Sequence, residues 1–572
     1  MTARHWLVLV LLVPLYLWRL DRPGFSDTEG MFAEPARGML ASGDWVTPRV
    51  NGEPFFTKPP LIYWLAGGLW SVTGPTEYAR IWPVAAGLGT VALTASLGTR
   101  LFGPAAGFAA AAVLGTSAGQ FLEARMLRAD MVLMFVVTAA LWAWLRLRTG
   151  EGHRGAALTF WSVLAVGLLD KGFLVLVLVG GVIACVELLE GHVRPAAVMA
   201  RLRVLHLPLG LAVLAVIAAP WHVVAAWRNP GFVWDYVVNQ HLMFFFDRKL
   251  PRDSIPDSLG FFWEAFGLRG LPWSLVWPAA LVHAVRTVRA RPGSRAAYRL
   301  VAVWLGVVLG FFSLASSRLE HYALPAMPAA ALLVGGLIGD AMAGEARVGP
   351  AWVAGPLVLV GLGALAALAL DPHAWITGLE PTLAGYSLER LALPSLLIPG
   401  VGLLAAAAFV ARGRLRLAMS AGVALSAALL VVVQLAHERV EPLFSWRPLA
   451  AHIHAVAPAG ARVFFHASDE YQLCGGLSYY LAGQRLDLLM PPGWVAPTFL
   501  EGRVEHLFTS EDVFAAAWRT PGSLLVSDDV WPPGTEASLV PGPYAVVARD
   551  GSKVLLRARG GGPDITSRLT RP

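Results

Sequence analysis

The 572-residue chain is 56% hydrophobic and only 15% charged, with a mean hydropathy of +0.58. These values exclude an ordinary soluble domain and predict a polytopic membrane protein. The net charge of +7 does not indicate nucleic-acid binding, because the arginines stand in short clusters between apolar runs and not on one basic face. The two cysteines, Cys185 in an apolar run and Cys474 in the polar tail, predict no disulfide framework.

The N-terminal segment is predicted to be a retained membrane span. Residues 1–20 resemble a signal peptide, because Arg4 precedes an apolar run. The sequence from Trp18 to Asp21, however, lacks the small residues of a cleavage site. We therefore expect this segment to remain in the protein as its first span.

The stretch from Asp27 to Trp64 is the first candidate for function. It carries charged residues throughout, interleaved with aromatic residues, and it lies between two apolar segments. Charge beside lipid is expensive and usually marks function, and interleaved aromatic residues suit a segment that lies along the bilayer interface. The alternative for any one of these charges is a solvated loop residue without a role.

Apolar runs long enough to cross a membrane recur to about residue 436 and predict about thirteen spans. Their approximate centres are Leu12, Leu88, Ala111, Val137, Val163, Leu178, Val213, Val276, Val307, Leu332, Val360, Leu404 and Leu429. Alternate loops collect arginine, as between Arg286 and Arg299, and the positive-inside rule places those loops in the cytoplasm. The N-terminus is then cytoplasmic, whereas the Asp27 to Trp64 stretch and the tail from about His437 lie outside.

Lysine is rare in this chain, with only four among the 45 lysines and arginines: Lys58, Lys171, Lys249 and Lys553. In a chain so rich in arginine, a lysine indicates a position that needs a compact ammonium group. Lys58 and Lys171 are therefore predicted to be functional. Lys249 is left open between a functional residue and a residue without a role. Lys553, in the outer tail, is predicted to have no role.

Further polar groups are predicted to converge on the outer face of the membrane. They are Arg125, Arg128 and Asp130 before the fourth span, Asp170 and Lys171 after the fifth, His222, the groups Asn239 to His241 and Asp247 to Lys249, and Arg318, Glu320, His321 and Tyr322. Acids, bases and aromatic residues gathered at one side of a bundle are typical of a site at the membrane surface. The alternative is that charges at the membrane edge merely anchor helices.

The tail from about Trp446 predicts a small α/β domain outside the membrane. Apolar runs that end at Phe465, Leu489 and Ser527 are typical of strands. Residues 510–518 predict a helix capped by Ser510, and residues 544–557 predict a hairpin around Asp550. The predicted domains are a membrane domain at 1–436, with an outer interfacial loop at 21–80, and an outer α/β domain at 437–572. The tail histidines are too scattered to predict a metal site: His452, His454, His466 and His506.

Six short motifs, in order along the membrane region, resemble one known family. They are Ala33–Arg37, Gly43–Arg49, Phe56–Trp64, Arg128–Asp130, Lys171–Gly172 and Ser317–Pro325. Together they resemble the polyprenol-phosphate-sugar-dependent glycosyltransferases of the GT-C fold, above all the branch with the lipid A aminoarabinose transferases and the bacterial relatives of protein O-mannosyltransferases. The resemblance implies a mainly α, polytopic helix bundle in the bacterial inner membrane, with a small C-terminal α/β periplasmic domain.

The resemblance also implies an undecaprenyl-phosphate-sugar donor and an inverting transfer on the periplasmic side, to a lipid A-like, glycan or protein acceptor. Two departures stand out. Asp27 stands one place before the family's acidic position, so that this position falls to Asp27 or Glu29. Thr57 stands where the aminoarabinose branch often has a Glu, which weakens both a metal site and an aminoarabinose substrate. No metal ligands are predicted; a divalent cation cofactor stays open as an alternative, without support from ligand spacing.

The chemistry assigns roles to the candidate residues. A lipid phosphate that leaves a sugar needs cations, and an acid would accept a proton from an acceptor hydroxyl or orient the acceptor. The candidate catalytic residues are Asp27, Glu29 and Asp130, and the candidate donor-phosphate or substrate-binding residues are Lys58, Arg128, Lys171, His241, Arg318 and Tyr322. If the acceptor is itself a phosphate, no base is required.

Two readings from other classes compete with an enzyme. One is a membrane transporter or lipid-linked sugar flippase, against which the polar residues cluster at one face and not at mid-membrane. The other is a structural or assembly subunit whose tail is a binding module. Neither a transporter nor an assembly subunit would transfer a sugar from the lipid donor to an acceptor.

Overall fold

The computed structural model describes residues 3–151, 153–192, 194–250, 257–379, 381–383, 385–457, 461–466, 471–490, 507–528, 530 and 533–559. Within these ranges the chain forms a large helical bundle, a short platform between the first and third helices, and a mixed β-sheet near the C-terminus. The predicted fold class, a mainly α helix bundle with a small C-terminal α/β domain, is confirmed.

The helices of the bundle follow the apolar runs of the sequence, because a backbone surrounded by lipid must pair its own polar groups. In chain order the helices are α1 Ala3–Leu17, α2 Asp27–Ser42, α3 Leu61–Thr73, α4 Ile81–Phe102, α5 Pro104–Gly115, α6 Ala118–Ala124, α7 Asp130–Arg148, α8 His153–Lys171, α9 Leu174–Leu189, α10 Pro195–Val204, α11 Leu207–Ile217, α12 Ala219–Arg228, α13 Leu259–Arg269, α14 Trp277–Ala290, α15 Arg295–Leu314, α16 Met327–Met342, α17 Ala351–Ala367, α18 Pro372–Leu379, α19 Glu389–Ala411, α20 Leu415–Arg439, α21 Glu441–Phe444, α22 Arg447–Val456, α23 Cys474–Tyr480 and α24 Glu511–Trp518. A π-helix spans Trp234–Met243.

Six of the described helices are long and apolar enough to cross a membrane, and the number rises to nine if each of three bent helix pairs is one span. The predicted count of about thirteen is therefore not reached by length and composition, and it stays a prediction. The predicted centres lie in α-helices, except that Val276 lies in a 3₁₀ turn directly before α14. The apolar runs thus locate helices, but several of these are too short or too bent to count as full spans.

Small residues hold the centre of the bundle together. A Cβ atom at Gly98 of α4 would lie 2.8 Å from the Cα atom of Gly107 in α5, and one at Gly335 of α16 would lie 2.6 Å from the Ala106 carbonyl oxygen. Backbones approach this closely only where side chains are absent or small, as is common between membrane helices. The close contact of α4, α5 and α16 gives the bundle a rigid centre.

The platform consists of α2 and a short hairpin whose two strands and turn are each two residues long. Strands β1 Arg49–Val50 and β2 Glu53–Pro54 pair antiparallel around Asn51 and Gly52. Both turn residues have positive φ, 52° and 88°, which is the conformation that an Asn-Gly hairpin turn requires. The Asn51 side chain also donates to the Leu486 carbonyl oxygen at 3.0 Å and accepts from the Leu486 amide at 2.8 Å. The hairpin therefore connects the platform to the tail.

The tail forms a six-stranded sheet in the order β5-β4-β3-β6-β8-β7. Strands β3 to β6 are parallel, and β7 and β8 form an antiparallel hairpin at one edge. The strands are β3 Val463–His466, β4 Asp487–Leu489, β5 Phe508–Thr509, β6 Leu524–Ser527, β7 Tyr544–Asp550 and β8 Lys553–Ala558. The predicted strands, hairpin and helix are confirmed, and the Ser510 side chain caps α24 as expected. His506 lies outside the described residues.

The tail sits directly on α2. A Cβ atom at Gly30 of α2 would lie 2.2 Å from the Cα atom of Gly476 in α23, so the two helices touch backbone to backbone. Because of this contact, the 3₁₀ turn Tyr471–Leu473 before α23 lies beside the platform. The predicted domain boundary at residue 436 falls in the last turn of α20, which ends at Arg439, and the division into domains stays a proposal.

Candidate active site

Ser26 and Glu29 determine where α2 begins. The Ser26 hydroxyl accepts from the Glu29 amide, and the Glu29 carboxylate accepts from the Ser26 amide at 2.9 Å, which is a capping box. Glu29 is 1% exposed, pairs with Arg80 at 2.7 Å and accepts from the Leu127 amide at 2.7 Å. Burial alone would raise the pKa of Glu29, but the Arg80 charge and the hydrogen bonds from Arg80, Ser26 and Leu127 together outweigh burial and lower that pKa. Glu29 thus joins three segments of the chain.

A pocket of about 130 Å³ lies between α2, the start of α7, the end of α8 and the loop after α15. Four cationic side chains and one carboxylate line it, together with hydroxyl, amide and aromatic groups. The lining residues are Thr28, Met31, Phe32, Phe55, Thr57, Lys58, Arg128, Asp130, Lys171, Gln240, Phe244, Lys249, Leu319, His321, Tyr322 and Gln472. We call it the polar pocket. Five predicted site residues line it: Lys58, Arg128, Asp130, Lys171 and Tyr322.

Asp130 and Lys171 form an ion pair within the polar pocket. Asp130 is the first residue of α7 and Lys171 is the last residue of α8, so each charge also complements the dipole of its own helix. The His321 Nε2 atom lies 3.6 Å from Asp130 Oδ1, and the Lys171 ammonium group lies 5.1 Å from the centre of the Tyr322 ring. Asp130 is therefore held by Lys171 and His321, and it positions Lys171 over Tyr322.

Arg128 is held in place by a chain of charges that leads away from the polar pocket. Its Nη2 atom donates to Glu123 at 2.6 Å, and Glu123 also accepts from Arg269 at 2.6 Å. Arg269 in turn contacts Glu320 at 3.0 Å. Glu123 at the centre of this network is 2% exposed, whereas the side chain of Glu320 at its outer end is 34% exposed. The geometry of the network keeps the Arg128 guanidinium at the pocket wall.

Lys58 enters the polar pocket from the loop between β2 and α3. Pro59 and Pro60 follow it, and proline restricts both its own backbone and that of the preceding residue, so the ammonium group stands on a stiff segment. Burial, and then the positive charges of Lys171 and Lys249, lower the pKa of Lys58 to about 7. A bound anion would favour the protonated amine, so a phosphate in this pocket would raise the pKa of Lys58.

His241 packs behind the polar pocket and does not line it. Its Nδ1 atom donates to the Tyr236 carbonyl oxygen at 2.6 Å, and its Nε2 atom accepts from the Phe173 amide at 3.3 Å. Burial lowers the pKa of His241. Gly172, with φ of 68°, leaves room for this ring, because a Cβ atom there would lie 2.4 Å from Nε2. The predicted Lys171-Gly172 motif thus has a packing reason for its glycine.

Two further predicted site residues are engaged elsewhere. Arg318 donates to the carbonyl oxygens of Asp257 at 3.1 Å and Ala315 at 2.7 Å, and so braces a loop beside the pocket. Asp27 pairs with Lys553 at 2.8 Å, on the face of α2 that meets the tail. The structure does not bring Asp27, Glu29, His241 or Arg318 into the lining. Their predicted roles stay predictions.

Lys553 does not lie in the solvated surroundings that its place in the tail suggests, and the prediction that it has no role in the reaction stays a prediction. Lys553 is 2% exposed, pairs with Asp27 and lies 4.4 Å from the centre of the Trp446 ring. The sequence placed it in a polar tail, and the tail folds back onto the platform. Its surroundings are therefore those of an interface and not of a solvated strand.

Sequence reasoning missed several lining residues. His321 belonged to the predicted polar face without a role of its own, and Lys249 was left open. Gln472 carried no signal, because it comes from the tail. Its side chain is 5% exposed, and its Oε1 atom has no hydrogen-bond partner among the described residues. A buried acceptor at a pocket wall needs a donor, and a bound ligand is one group that can supply it.

Among the described residues, one group of three side chains could together hold a metal ion, and it lies away from the polar pocket. It consists of Glu187, Glu190 and His192, near the end of α9, with ligand atoms within 4.8 Å of one another. Arginines already pair with both carboxylates, as with Arg148 and Arg201.

Comparison with known proteins shows that part of the polar pocket lies in a region that matches a known family. Residues 57–222 match the family described as dolichyl-phosphate-mannose-protein mannosyltransferase. That range begins next to Lys58 and contains Arg128, Asp130 and Lys171.

Several relatives carry the name undecaprenyl phosphate-alpha-4-amino-4-deoxy-L-arabinose arabinosyl transferase. The one from Pseudomonas aeruginosa is 30% identical over 66% of this chain and 66% of its own length. The one from Aeromonas hydrophila is 28% identical over 66% of this chain and 69% of its own length, and that from Edwardsiella ictaluri is 28% identical over 85% of both.

Two solved structures of ArnT from Cupriavidus metallidurans share the fold of this chain. The apo structure aligns with a TM-score of 0.77 at 23% identity, over 98% of each chain. The structure bound to undecaprenyl phosphate aligns with a TM-score of 0.76 at 23% identity, over 98% of this chain and 100% of the other. At this identity the likeness establishes the architecture.

Proposed function

Because this chain belongs to the polyprenyl-phosphate-sugar-dependent glycosyltransferases of the GT-C fold, we propose that the polar pocket transfers a sugar from undecaprenyl phosphate to a phosphate of a lipid A-like acceptor, with inversion at the sugar carbon. The observation that carries the acceptor class is the charge of the lining: four cations, Lys58, Arg128, Lys171 and Lys249, against the single carboxylate of Asp130.

This charge excess suits two phosphates better than one. The donor is a phosphodiester with one negative charge. An acceptor that is a phosphate monoester adds about 1.5 to 2 further negative charges. A sugar or protein hydroxyl would add none. A pocket with three more cations than carboxylates therefore favours an acceptor that is itself anionic.

The reaction then needs no base. An oxygen of the acceptor phosphate attacks the anomeric carbon and forms the new carbon–oxygen bond. The bond from that carbon to the donor phosphate oxygen breaks, and the electron pair leaves with undecaprenyl phosphate. Lys58 and Arg128 stabilise the charge that develops on this leaving group. We assign Lys171 and Lys249, which line the same pocket, to the acceptor phosphate.

Asp130 fits a positioning role in this scheme. Its carboxylate is paired with Lys171 and close to His321, so taking up a proton would break a favourable pair. A hydroxyl acceptor would require a free base, whereas a phosphate acceptor is already deprotonated. The ion pair therefore supports the same acceptor class as the lining charges.

A reconstitution experiment tests this proposal. The purified protein in liposomes is given a polyprenyl phosphate with a radiolabelled sugar, together with lipid A or with lipid A treated with a phosphatase. We expect label in intact lipid A, none in the dephosphorylated acceptor, and none with Lys58→Ala. Transfer to the dephosphorylated lipid, or to a hydroxyl of a peptide, would contradict the phosphate acceptor. Donors with and without an amino group on the sugar identify which sugar is used.

The chain is a multi-pass membrane protein, and we propose that it lies in the bacterial inner membrane with its N-terminus in the cytoplasm. The polar pocket and the tail then face the periplasm, where lipid-linked donors are used. The arginine-rich loops support this orientation. Reporters fused after Arg416 and after Pro572 should lie on opposite sides of the membrane, and the same side for both would contradict it.

A further inference from the structure

A second cavity, of about 490 Å³, lies between α8, α9, α10 and α11. We call it the apolar cavity. Aromatic and aliphatic side chains form most of its wall, among them Phe160, Leu164, Val179 and Ile183. Its volume lies in the usual range for small-molecule sites in proteins, about 300–1,000 Å³. A cavity of this kind accepts a hydrocarbon chain.

The apolar cavity has a polar end, and that end is far from the polar pocket. Arg148, Glu187, His192 and Arg201 line it. Arg148 is the last residue of α7 and Asp130 is the first of its 19 residues, so about 27 Å of helix separates the two ends. This distance is close to the thickness of the hydrocarbon core of a bilayer. The polar end therefore lies at the opposite membrane boundary from the polar pocket.

Arginine is the exposed charge at this end. Glu187 accepts from His192 at 2.6 Å and lies 3.2 Å from Arg201 Nε, and Arg148 pairs with Glu190. The Arg201 side chain is 38% exposed, whereas that of Glu187 is 13% exposed. The glutamates thus hold both guanidinium groups in place, and Arg201 is the more exposed of the two arginines, because the Arg148 side chain is 21% exposed.

The surroundings strengthen the positive charge. Residues 146–154 and 187–203, at this boundary, contain six arginines against three glutamates. Two tryptophans line the same cavity, and Trp161 donates to the Leu205 carbonyl oxygen at 2.6 Å. Tryptophan at the headgroup level and basic pockets between membrane helices are both features of protein contacts with lipid headgroups.

We propose that the apolar cavity binds an anionic phospholipid of the surrounding membrane. One acyl chain lies against α8 and α9, and the lipid phosphate lies at Arg201 and Arg148. The phosphate adds negative charge where three arginines, Arg148, Arg201 and Arg299, share two glutamates, and the acyl chain fills the apolar space. The site is separate from the sugar-transfer site, so its test does not depend on the proposed reaction.

The first test compares two arginines of the same helix. Arg201 lines the cavity, whereas Arg203 is exposed and does not. Thermal unfolding is measured in detergent with added phosphatidylglycerol or added phosphatidylcholine. We expect phosphatidylglycerol to raise Tm in the wild type and in Arg203→Gln, and Arg201→Gln to weaken its apparent affinity about tenfold, since one charge-assisted contact is lost. Equal responses of the two variants, or equal effects of the two lipids, would overturn the proposal.

The second test fills the cavity. Gly180 lies in its lining, and a Cβ atom there would meet open space within 4 Å, as would one at Gly310 of α15, which does not line it. Mass spectrometry counts the phospholipid that purifies with Gly180→Leu and with Gly310→Leu. We expect less bound phosphatidylglycerol in Gly180→Leu alone, with transfer kinetics unchanged. A raised KM for the polyprenyl donor in Gly180→Leu would assign the cavity to the donor chain and overturn the proposal.

Discussion

Lys553 and Asp27 join the two ends of the chain, with Lys553 Nζ donating to Asp27 Oδ1 at 2.8 Å across 526 positions. Lys553 lies in β8 of the tail sheet, and Asp27 is the first residue of α2. Burial raises the pKa of Asp27, and the Lys553 charge acts against that rise. The pair therefore links the tail to the same helix whose Thr28 lines the polar pocket.

Removing Lys553 should loosen the tail from the platform. We expect Lys553→Met to lower the free energy of unfolding by about 3 kcal/mol, because it leaves the Asp27 carboxylate without its partner. The measurement is thermal or denaturant unfolding of the purified protein, with Lys249→Met as a lysine variant outside this interface.

A double-mutant cycle separates a structural from a catalytic Asp27. If Asp27 serves only the ion pair, Asp27→Asn and Lys553→Met lower transfer alike, and the double variant is no worse than either single variant. Loss of transfer in Asp27→Asn with a fully active Lys553→Met would instead assign Asp27 to the chemistry.

Lys58 should give the reaction a pH dependence. Its pKa of about 7 means that the amine is protonated below that pH and neutral above it, and only the protonated form attracts the donor phosphate. We expect kcat/KM to fall as pH rises above about 7, and Lys58→Ala to lose about 100-fold or more at lower pH.

Lys58→Arg is the matched variant for this prediction. A guanidinium stays charged across the working range, so the fall at alkaline pH should disappear even if shape and reach reduce the rate. If kcat/KM of Lys58→Arg still falls at alkaline pH as in the wild type, a group other than Lys58 titrates.

Asp130 and Lys171 should act as a unit. We expect Asp130→Asn to lower kcat/KM about 100-fold or more, because Lys171 loses the partner that holds it over Tyr322. The loss should be the same at every pH at which the enzyme is stable, since Asp130 is proposed to position and not to take up a proton. A larger loss with a hydroxyl acceptor than with a phosphate acceptor would argue for a base.

Glu29 should matter for stability more than for chemistry. Breaking its buried pair with Arg80 is expected to cost about 3–5 kcal/mol. We therefore expect Glu29→Gln to lower Tm strongly, with near-normal kcat for the fraction that stays folded. A normal Tm with abolished transfer would return Glu29 to the catalytic role that the motif implies.

Gln472 should contribute to substrate binding. Losing one neutral hydrogen bond, worth about 1 kcal/mol, predicts a loss of about threefold to tenfold in kcat/KM for Gln472→Ala. Gln484→Ala is the control, because Gln484 is an exposed glutamine of the same tail. Equal kinetics of the two variants, with equal Tm, would remove Gln472 from the site.

The sequence by itself determined the class of protein, the positions of most helices and strands, and five residues of the polar pocket. Apolar runs and turn residues are local signals, because burial and backbone geometry depend on neighbours within a few positions. Lys58 and Lys171 stood out because lysine is rare in this chain, and Arg128, Asp130 and Tyr322 because they belong to motifs.

Only the tertiary structure decided which charges meet. Asp27 and Glu29 stand two positions apart in one motif, yet one pairs with Lys553 and the other with Arg80. Gln472 reaches the polar pocket only because Gly30 and Gly476 let the tail lie directly on α2. A charged residue in an apolar stretch indicates that it needs a partner. The partner lies tens to hundreds of residues away, and the packing of whole helices and strands selects it. No local pattern in the sequence encodes that packing.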